Sequence, residues 1–444
     1  MVETSGTHGP APRDEQVRDG VDTLRRLLKP FATARRRNAA EAAEEWRVSA
    51  QVDDDALSAA FTEAYGTPPT GIWRAPGQAN LMGTHTDAVG GLVLPVAVPW
   101  GVSVALQPTA DGTVEARSIQ RPGEAVRFTT AEVDAATTAR AAITGWGRNV
   151  AAVFSAAREA GHLDASAGAR IMLDSDLPVG AGLSSSAALH CATLLALAEA
   201  HDISDLSKDR RGMAGLARRA ATEFIGAPTG AMAHNAPLRC KEGHALFLDC
   251  RTEGGRNVPL PLDEAGLRLL VIDTRVRPRP SDAAHIAATR RTECERGARQ
   301  LGVETLRDVE DLASALDRLK QLALRKRVQH VVTEIHRVNA AVGLMRAKAL
   351  PEIGAVLTAS HFSLRDQFEV SCPELDLAVE TAVHAGARGA KMTGNGLGGS
   401  AIALVAEEKV GGVREGVSAA FADKGFQAPE FRIALPSSGA GPTR

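Results

Sequence analysis

The stretch LPVGAGLSSSAALHCATLLALAEAH, residues 177–201, decides how this chain reads. Gly180 and Gly182 let the backbone turn tightly and approach a ligand, and Ser184, Ser185 and Ser186 then open an apolar helix predicted over 185–201. Such a turn aims several N–H groups and the positive end of a helix at one point, which is what holding phosphates requires. It is neither a Walker loop, since no Gly-Lys-Ser/Thr ends it, nor a dinucleotide fingerprint with that glycine spacing. Taken alone, it also reads as a glycine turn with a serine cap.

Two more glycine clusters lie on either side of it. KMTGNGLGGSAIALV, 391–405, runs from glycines straight into an apolar strand. APGQANLMGTHTDAVGGLVLPVAV, 75–98, places Thr84, His85, Thr86 and Asp87 on a tight loop before a buried strand, an arrangement suited to reading hydroxyl groups.

The rest of the chain frames these segments. Its 444 residues are enough for two to three domains and a ligand cleft. With 44% hydrophobic and 23% charged residues it is neither disordered nor fibrous. Lys and Arg number 51 against 53 Asp and Glu, a net charge of −2, so no overall positive field recruits nucleic acid or an acidic membrane. Cys191, Cys240, Cys250, Cys294 and Cys372 form no CxxC pair and are odd in number, which argues against a disulfide framework or zinc cage and for a reducing cytoplasm. The opening MVETSGTHGPAPRDEQ lacks an apolar signal core, and no apolar run reaches bilayer length, so neither secretion nor membrane insertion is expected.

Alternation of β-branched runs with Ala/Leu-rich patterns predicts mixed α and β layers between residues 53 and 435. Strands are expected at 92–98, 102–106, 169–174, 245–249, 267–273 and 400–405, and helices at 185–201, 213–223, 283–301 and 322–347. An Arg/Ala-rich helical extension spans 1–52, where Arg35, Arg36 and Arg37 read either as an anion contact or as a solvated helix face. One domain then spans 53–260 and a second 261–436, with a linker at 257–264 and a mobile tail over 437–444.

Together the segments resemble the GHMP small-molecule kinases, and the galactokinases among them. APGxxNLxGxHTD, PxGAGLSSSAAL, EGHALFLDCR, SLRDQFEVSCPELD and TGxGxGGSAIALV stand here in that family's order. The resemblance implies an α+β GHMP fold: an N-terminal α/β domain with a left-handed βαβ unit, a C-terminal ferredoxin-like domain, and nucleotide and sugar between them. It implies ATP and Mg2+ as cofactors, a sugar or sugar phosphate as substrate, and a monomer or homodimer. Carried over by motif, Pro178, Gly180, Ala181, Gly182, Leu183, Ser184, Ser185, Ser186, Gly396 and Gly398 bind ATP, Ser186 also contacts the metal, and Thr84, His85 and Asp87 meet the sugar.

Several positions depart from the family pattern. Gln78 stands for an arginine near the transferred phosphate, Thr84 for a glutamate at the sugar's terminal hydroxyl, and Ala88 for a tyrosine. His190 replaces a magnesium-binding glutamate, and GAMAH, 230–234, stands where the family has GIMDQ, so Ala233 takes the catalytic aspartate's place. Ala287 replaces a sugar-contacting tyrosine, and Tyr65 is the chain's single tyrosine. His234, next to the vacancy, is a candidate substitute base. Arg277 and Arg279 in RVRPRP, with Arg239 and Lys241 in RCK, read either as cations for an anionic far end of the substrate or as solubilising charges. Two readings compete. One is a sugar 1-kinase for a substrate other than galactose, such as an octose or other long-chain sugar phosphate of antibiotic biosynthesis. The other is a pseudokinase that binds sugar or nucleotide as a regulator.

Overall fold

The structure, a computed structural model, describes residues 52–133 and 143–443. Apart from Val52, the expected N-terminal extension with Arg35, Arg36 and Arg37 lies outside these residues. Helix α1 (Asp54–Tyr65) starts where Asp53 accepts from the Asp55 and Ala56 amides and stops at Gly66, whose φ of 76° suits only a residue without a Cβ. Its Leu57 and Phe61 close over Ile72, Ala105 and Met172 of the first sheet.

The first half of the chain supplies β1 (Gly71–Met82), β2 (Leu92–Thr109), β3 (Thr113–Ser118), β4 (Ala125–Thr129), β5 (Gly168–Ser175), β6 (His244–Asp249) and β7 (Gly254–Pro259). The second supplies β8 (Leu267–Asp273), β9 (Gly389–Thr393), β10 (Ser400–Ala406), β11 (Glu430–Ala434) and β12 (Gly441–Pro442). One sheet runs β12-β1-β2-β5-β3-β4, with β6 and β7 continuing from β2; β3 and β5 pair in parallel. The connection between those two strands includes α2 (Gly147–Glu159). The other sheet runs β11-β8-β10-β9, all antiparallel. Numbered within that sheet, the order is 4-1-3-2 with helices in both crossovers, the split βαβ arrangement of a ferredoxin-like layer.

Helices α3 (Ser185–Ala200), α4 (Ser204–Lys208), α5 (Arg210–Arg219) and α6 (Met232–Arg239) follow β5, and α3 lies across β1 and β2. After β8 come α7 (Pro280–Leu301), α8 (Leu312–Arg318), α9 (Leu322–Arg346), α10 (Ile353–Ser363) and α11 (Pro373–His384), and after β10 comes α12 (Val410–Asp423). Gly354 of α10 and Gly389 of β9 touch so closely that a Cβ on Gly389 would lie 1.8 Å from the Gly354 carbonyl oxygen. No described helix is long and apolar enough to cross a membrane.

Four expectations need correction. The strands predicted at 92–98 and 102–106 are one strand, β2, whose Pro95 and Gly101 both keep partners in β1. The segment 75–82, where no strand was expected, belongs to strand β1, with register shifts between Pro76 and Gln78 and between Asn80 and Met82. The start of the linker, residues 257–259, belongs to β7, where Asn257 pairs with Leu246 and Val258 with Ala245. The tail expected to be mobile makes backbone contacts with the rest of the fold over its described residues: β12 pairs with Trp73 and Arg74, and the Ser437 and Gly439 amides donate to Ala97 and Cys240 carbonyls at 3.0 and 2.8 Å.

Candidate functional site

The three glycine segments meet in space. A Cβ on Gly182 would lie 2.9 Å from the Thr393 carbonyl oxygen, and one on Gly394 would lie 2.7 Å from Gly182 Cα, so the first and last segments touch through bare backbone. Ser400 Oγ donates to the Ala181 carbonyl at 2.8 Å. On the other flank, the Gln78 amide donates to the Leu183 carbonyl at 3.1 Å and Gln78 Nε2 to Ser184 Oγ at 3.0 Å, while the Asn80 amide donates to Thr393 Oγ1 at 3.0 Å. The bulged register of β1 presents Gln78 and Asn80 to these two loops.

Gly180, Gly182 and Ser184 all have positive φ, 73°, 80° and 59°. This run of left-handed residues turns the chain straight into α3, and no side chain caps the helix start. First-turn amides that lack a side-chain acceptor are what an anionic ligand satisfies. Ser186 is exposed there, Ser185 is half-buried, and Pro178 approaches from outside, whereas Ala181 and Leu183 anchor the loop in the core. Gly396 and Gly398 are buried against the Val370 and Val276 carbonyls, so they shape the second loop from behind. The loop therefore fits nucleotide phosphates.

Thr84, His85 and Asp87 occupy the turn between β1 and β2. Burial pushes the Asp87 carboxyl's pKa above its ordinary value, and a Cβ on Gly230 would lie 2.1 Å from Asp87 Oδ2, so this carboxylate abuts the segment that leads to Ala233. His85, at a φ of 65°, stacks on Phe368 with ring centroids 4.8 Å apart; burial lowers its pKa to about 3, and its Nε2 has no hydrogen-bond partner.

Thr84 is held in a polar network that was not legible in the sequence. Its Oγ1 accepts from Lys391 Nζ at 2.6 Å, its amide donates to Glu334 Oε1 at 3.2 Å, and its carbonyl lies 3.1 Å from His330 Nε2. Burial alone would raise the Glu334 pKa, but Lys391, His330 and Arg337 outweigh it and hold it at about 2. Lys391 opens one of the glycine segments, but nothing in the helical pattern of α9 marks Glu334 and His330 as facing this turn.

Other candidates are not brought to the site. His234 is only 1% exposed and points into the core, where its Nε2 lies 3.1 Å from His190 Nδ1; it does not fill the gap that Ala233 leaves. His190 is buried too, its Nε2 3.0 Å from Asn149 Oδ1, so neither of its nitrogens is free for a cation at Ser186. Among the described residues no group of three or more His, Cys, Asp or Glu side chains is placed to hold a metal ion. A magnesium ion accompanying the nucleotide would therefore be held by the exposed Ser186 hydroxyl, phosphate oxygens and water, which are hard oxygen donors.

Arg277 is committed elsewhere: its guanidinium pairs with Asp273 at 2.7 and 2.6 Å and its Nε donates to the Val179 carbonyl. It thus flanks Gly180 of the phosphate loop, away from Thr84. Arg279 is exposed at the start of α7, and Arg239 donates to Asn235 Oδ1 and the Glu253 carbonyl. Arg277 and Arg239 are thus committed to partners outside the turn that carries Thr84, His85 and Asp87.

Residues 59–108 match the galactokinase galactose-binding signature, 136–236 the GHMP kinases N terminal domain and 341–423 the GHMP kinases C terminal family. The chain is 44% identical over 383 residues to a galactokinase of Streptomyces coelicolor, covering 86% of this chain and 96% of that one. It is 41% identical over 380 residues to a galactokinase of Streptomyces lividans, covering 85% and 92%. A crystal structure of Lactococcus lactis galactokinase complexed with galactose aligns with a TM-score of 0.80 at 28% identity, over 87% of this chain and 99% of that one.

Proposed function

The chain belongs to the galactokinase family of the GHMP kinases, and on that premise we propose that it transfers a phosphoryl group from ATP to the anomeric hydroxyl of a sugar or sugar phosphate other than galactose. Octoses and other long-chain sugar phosphates of antibiotic biosynthesis are within that class. Its five unpaired cysteines, four of them buried, fit a cytoplasmic site of action, where ATP is at hand.

The observation that carries the reading is the Gln78–Ser184 hydrogen bond, 3.0 Å, which ties the sugar-side strand to the phosphate-side loop. Amides at the start of α3 receive phosphate oxygens, and Asp87, as an acceptor-only carboxylate, receives sugar hydroxyls. With Ala233 at the position next to this cleft, no side chain there takes the hydroxyl proton. Phosphoryl transfer through a loose transition state tolerates that, because the nucleophile keeps its proton until late and can pass it to a phosphoryl oxygen. The chain then contributes positioning and oriented N–H donors, and the rate falls short of a base-assisted site by about a hundred- to ten-thousand-fold.

A second reading, a binding protein without turnover, is favoured by one observation: His234, the nearest ring to the vacancy, is turned into the core. The test is ADP release from the purified chain with magnesium, ATP and a panel of sugars and sugar phosphates, in wild type and in Ala233→Asp. Sugar-dependent ADP that rises at least tenfold in Ala233→Asp is the expected result. No ADP in either form, with sugar binding intact by calorimetry, supports the second reading instead.

A further inference from the structure

Lys391 lies at the centre of an unbalanced group of charges. The side chain is fully buried, reaching from β9 across to the turn between β1 and β2. An ammonium has three protons to donate. One goes to Thr84 Oγ1 at 2.6 Å. Glu334 is the carboxylate nearest to it, but Oε1 already accepts from the Gly83 and Thr84 amides and from Ser360 Oγ, at 3.0, 3.2 and 2.8 Å, and Oε2 accepts from Arg337 Nε at 2.7 Å. Lys391 Nζ stands 3.9 Å from Oε1, beyond hydrogen-bond reach.

One carboxylate is therefore shared between two cations: Arg337, whose side chain is 16% exposed, and the fully buried Lys391, so the group of three carries one positive charge in excess. Buried charge of one sign is costly until an opposite charge completes it. Thr84 Oγ1 is itself occupied as an acceptor, by Lys391 Nζ and, at 3.4 Å, by Asn80 Nδ2, so its hydroxyl proton is free to donate. Lys391 Nζ and the Thr84 hydroxyl offer donors at this point, beside the unpartnered acceptor Asn80 Oδ1, and the complement of the unbalanced ammonium is a group that carries negative charge.

We propose that Lys391 and Thr84 form an anion subsite at the far end of the sugar site, so that the substrate is a sugar with a carboxylate or phosphate ester at the terminus opposite its anomeric carbon. This rests on the sugar-site reading above. Asp87, three residues along the same turn, holds ring hydroxyls, and the far end of the ring then arrives at Thr84 with the ammonium behind it. Burial lowers the Lys391 pKa to about 8, which leaves it protonated at neutral pH. Of the cations expected from sequence to meet such a terminus, Arg277 is paired with Asp273 instead.

The experiment compares D-galactose, D-galacturonate and D-galactose 6-phosphate as substrates, by ADP release with magnesium and ATP, and as ligands, by calorimetry. At least one charged sugar is expected to exceed galactose tenfold or more in kcat/KM and in affinity, galacturonate marking a carboxylate subsite and the 6-phosphate an ester subsite. Thr84→Glu, which places a carboxylate beside the ammonium, should reverse that ranking. Lys391→Met should bring the ratio of charged to neutral sugar close to one, whereas Lys391→Arg should keep it. If Lys391→Met does not fold, the ranking in Thr84→Glu decides. Galactose equal to or better than both charged sugars in wild type overturns the subsite while leaving phosphoryl transfer standing. Absence of turnover with a tenfold binding preference for a charged sugar does the reverse.

Discussion

His190 and His234 stack in the core with ring centroids 5.4 Å apart, planes 13° from parallel, and Nδ1 of the first 3.1 Å from Nε2 of the second. One nitrogen must donate and the other accept, so the pair is satisfied only while at least one ring is neutral. Burial pulls the His190 pKa to about 4 and His234 well below its ordinary value, and burial also brings His330 to about 4.

These rings are neutral in the folded chain but take up protons below about pH 6.5 once it unfolds. For His190 and His330 the unfolded state therefore binds more protons between about pH 6.5 and 4, so stability is full above that window and falls as pH drops through it, with His234 acting in the same direction. The thermal midpoint should fall steeply between pH 7 and 5. In His190→Leu it should fall less over the same interval; an equal slope in both forms would remove the pair as the cause.

Gly182 gives a prediction whose physical reason differs from the one its sequence suggests. A glycine in a phosphate loop reads as room for the ligand, yet the close approach here is to the Thr393 carbonyl of the second loop. Gly182→Val must strain a left-handed residue and part the two loops, so both the thermal midpoint and nucleotide affinity should drop, the latter at least tenfold, or about 1.4 kcal/mol. Loss of affinity with an unchanged midpoint would return the glycine to a purely ligand-facing role.

The glycine motifs announced the phosphate loop and the sugar turn because their chemistry is local: left-handed residues, a helix start, short polar side chains. What escaped a linear reading depends on distant segments. Glu334 and Lys391 reach Thr84 from 250 and 307 positions away. His234 looked poised beside Ala233, but adjacent residues of α6 face different ways, one towards the cleft and one towards His190. Arg277 looked free until the fold placed Asp273 under it.

Asp87 should show a trade-off between stability and binding. Because burial raises its pKa, the folded chain holds this proton more tightly than the unfolded one, so stability falls as pH rises from the ordinary carboxylate value through the raised one. Asp87→Asn should then raise the thermal midpoint at pH 7 while weakening sugar binding by about 1.5 to 3 kcal/mol, the worth of a charged hydrogen bond. A lower midpoint, or sugar affinity indifferent to the change in calorimetry, would contradict the role given to this carboxylate.

The last residues supply the final test, because their polar, glycine-rich sequence points to mobility and their contacts do not. Ala440 and Thr443 amides donate to the Pro237 and Ile72 carbonyls at 2.6 and 2.8 Å, in addition to the Ser437 and Gly439 bonds to Ala97 and Cys240. The segment thus stitches β1, β2 and α6 together, and these elements carry Gln78 and Ala233. At a net ~1 kcal/mol for each hydrogen bond, removing 437–444 should cost about 2 to 4 kcal/mol. For a chain of this size that is a fall of roughly 2 to 4 °C in the thermal midpoint. Because β1 loses an edge partner while the loop before α3 does not, sugar affinity should suffer more than nucleotide affinity. A truncated chain with the wild-type midpoint and wild-type sugar binding would show that these contacts contribute nothing in solution.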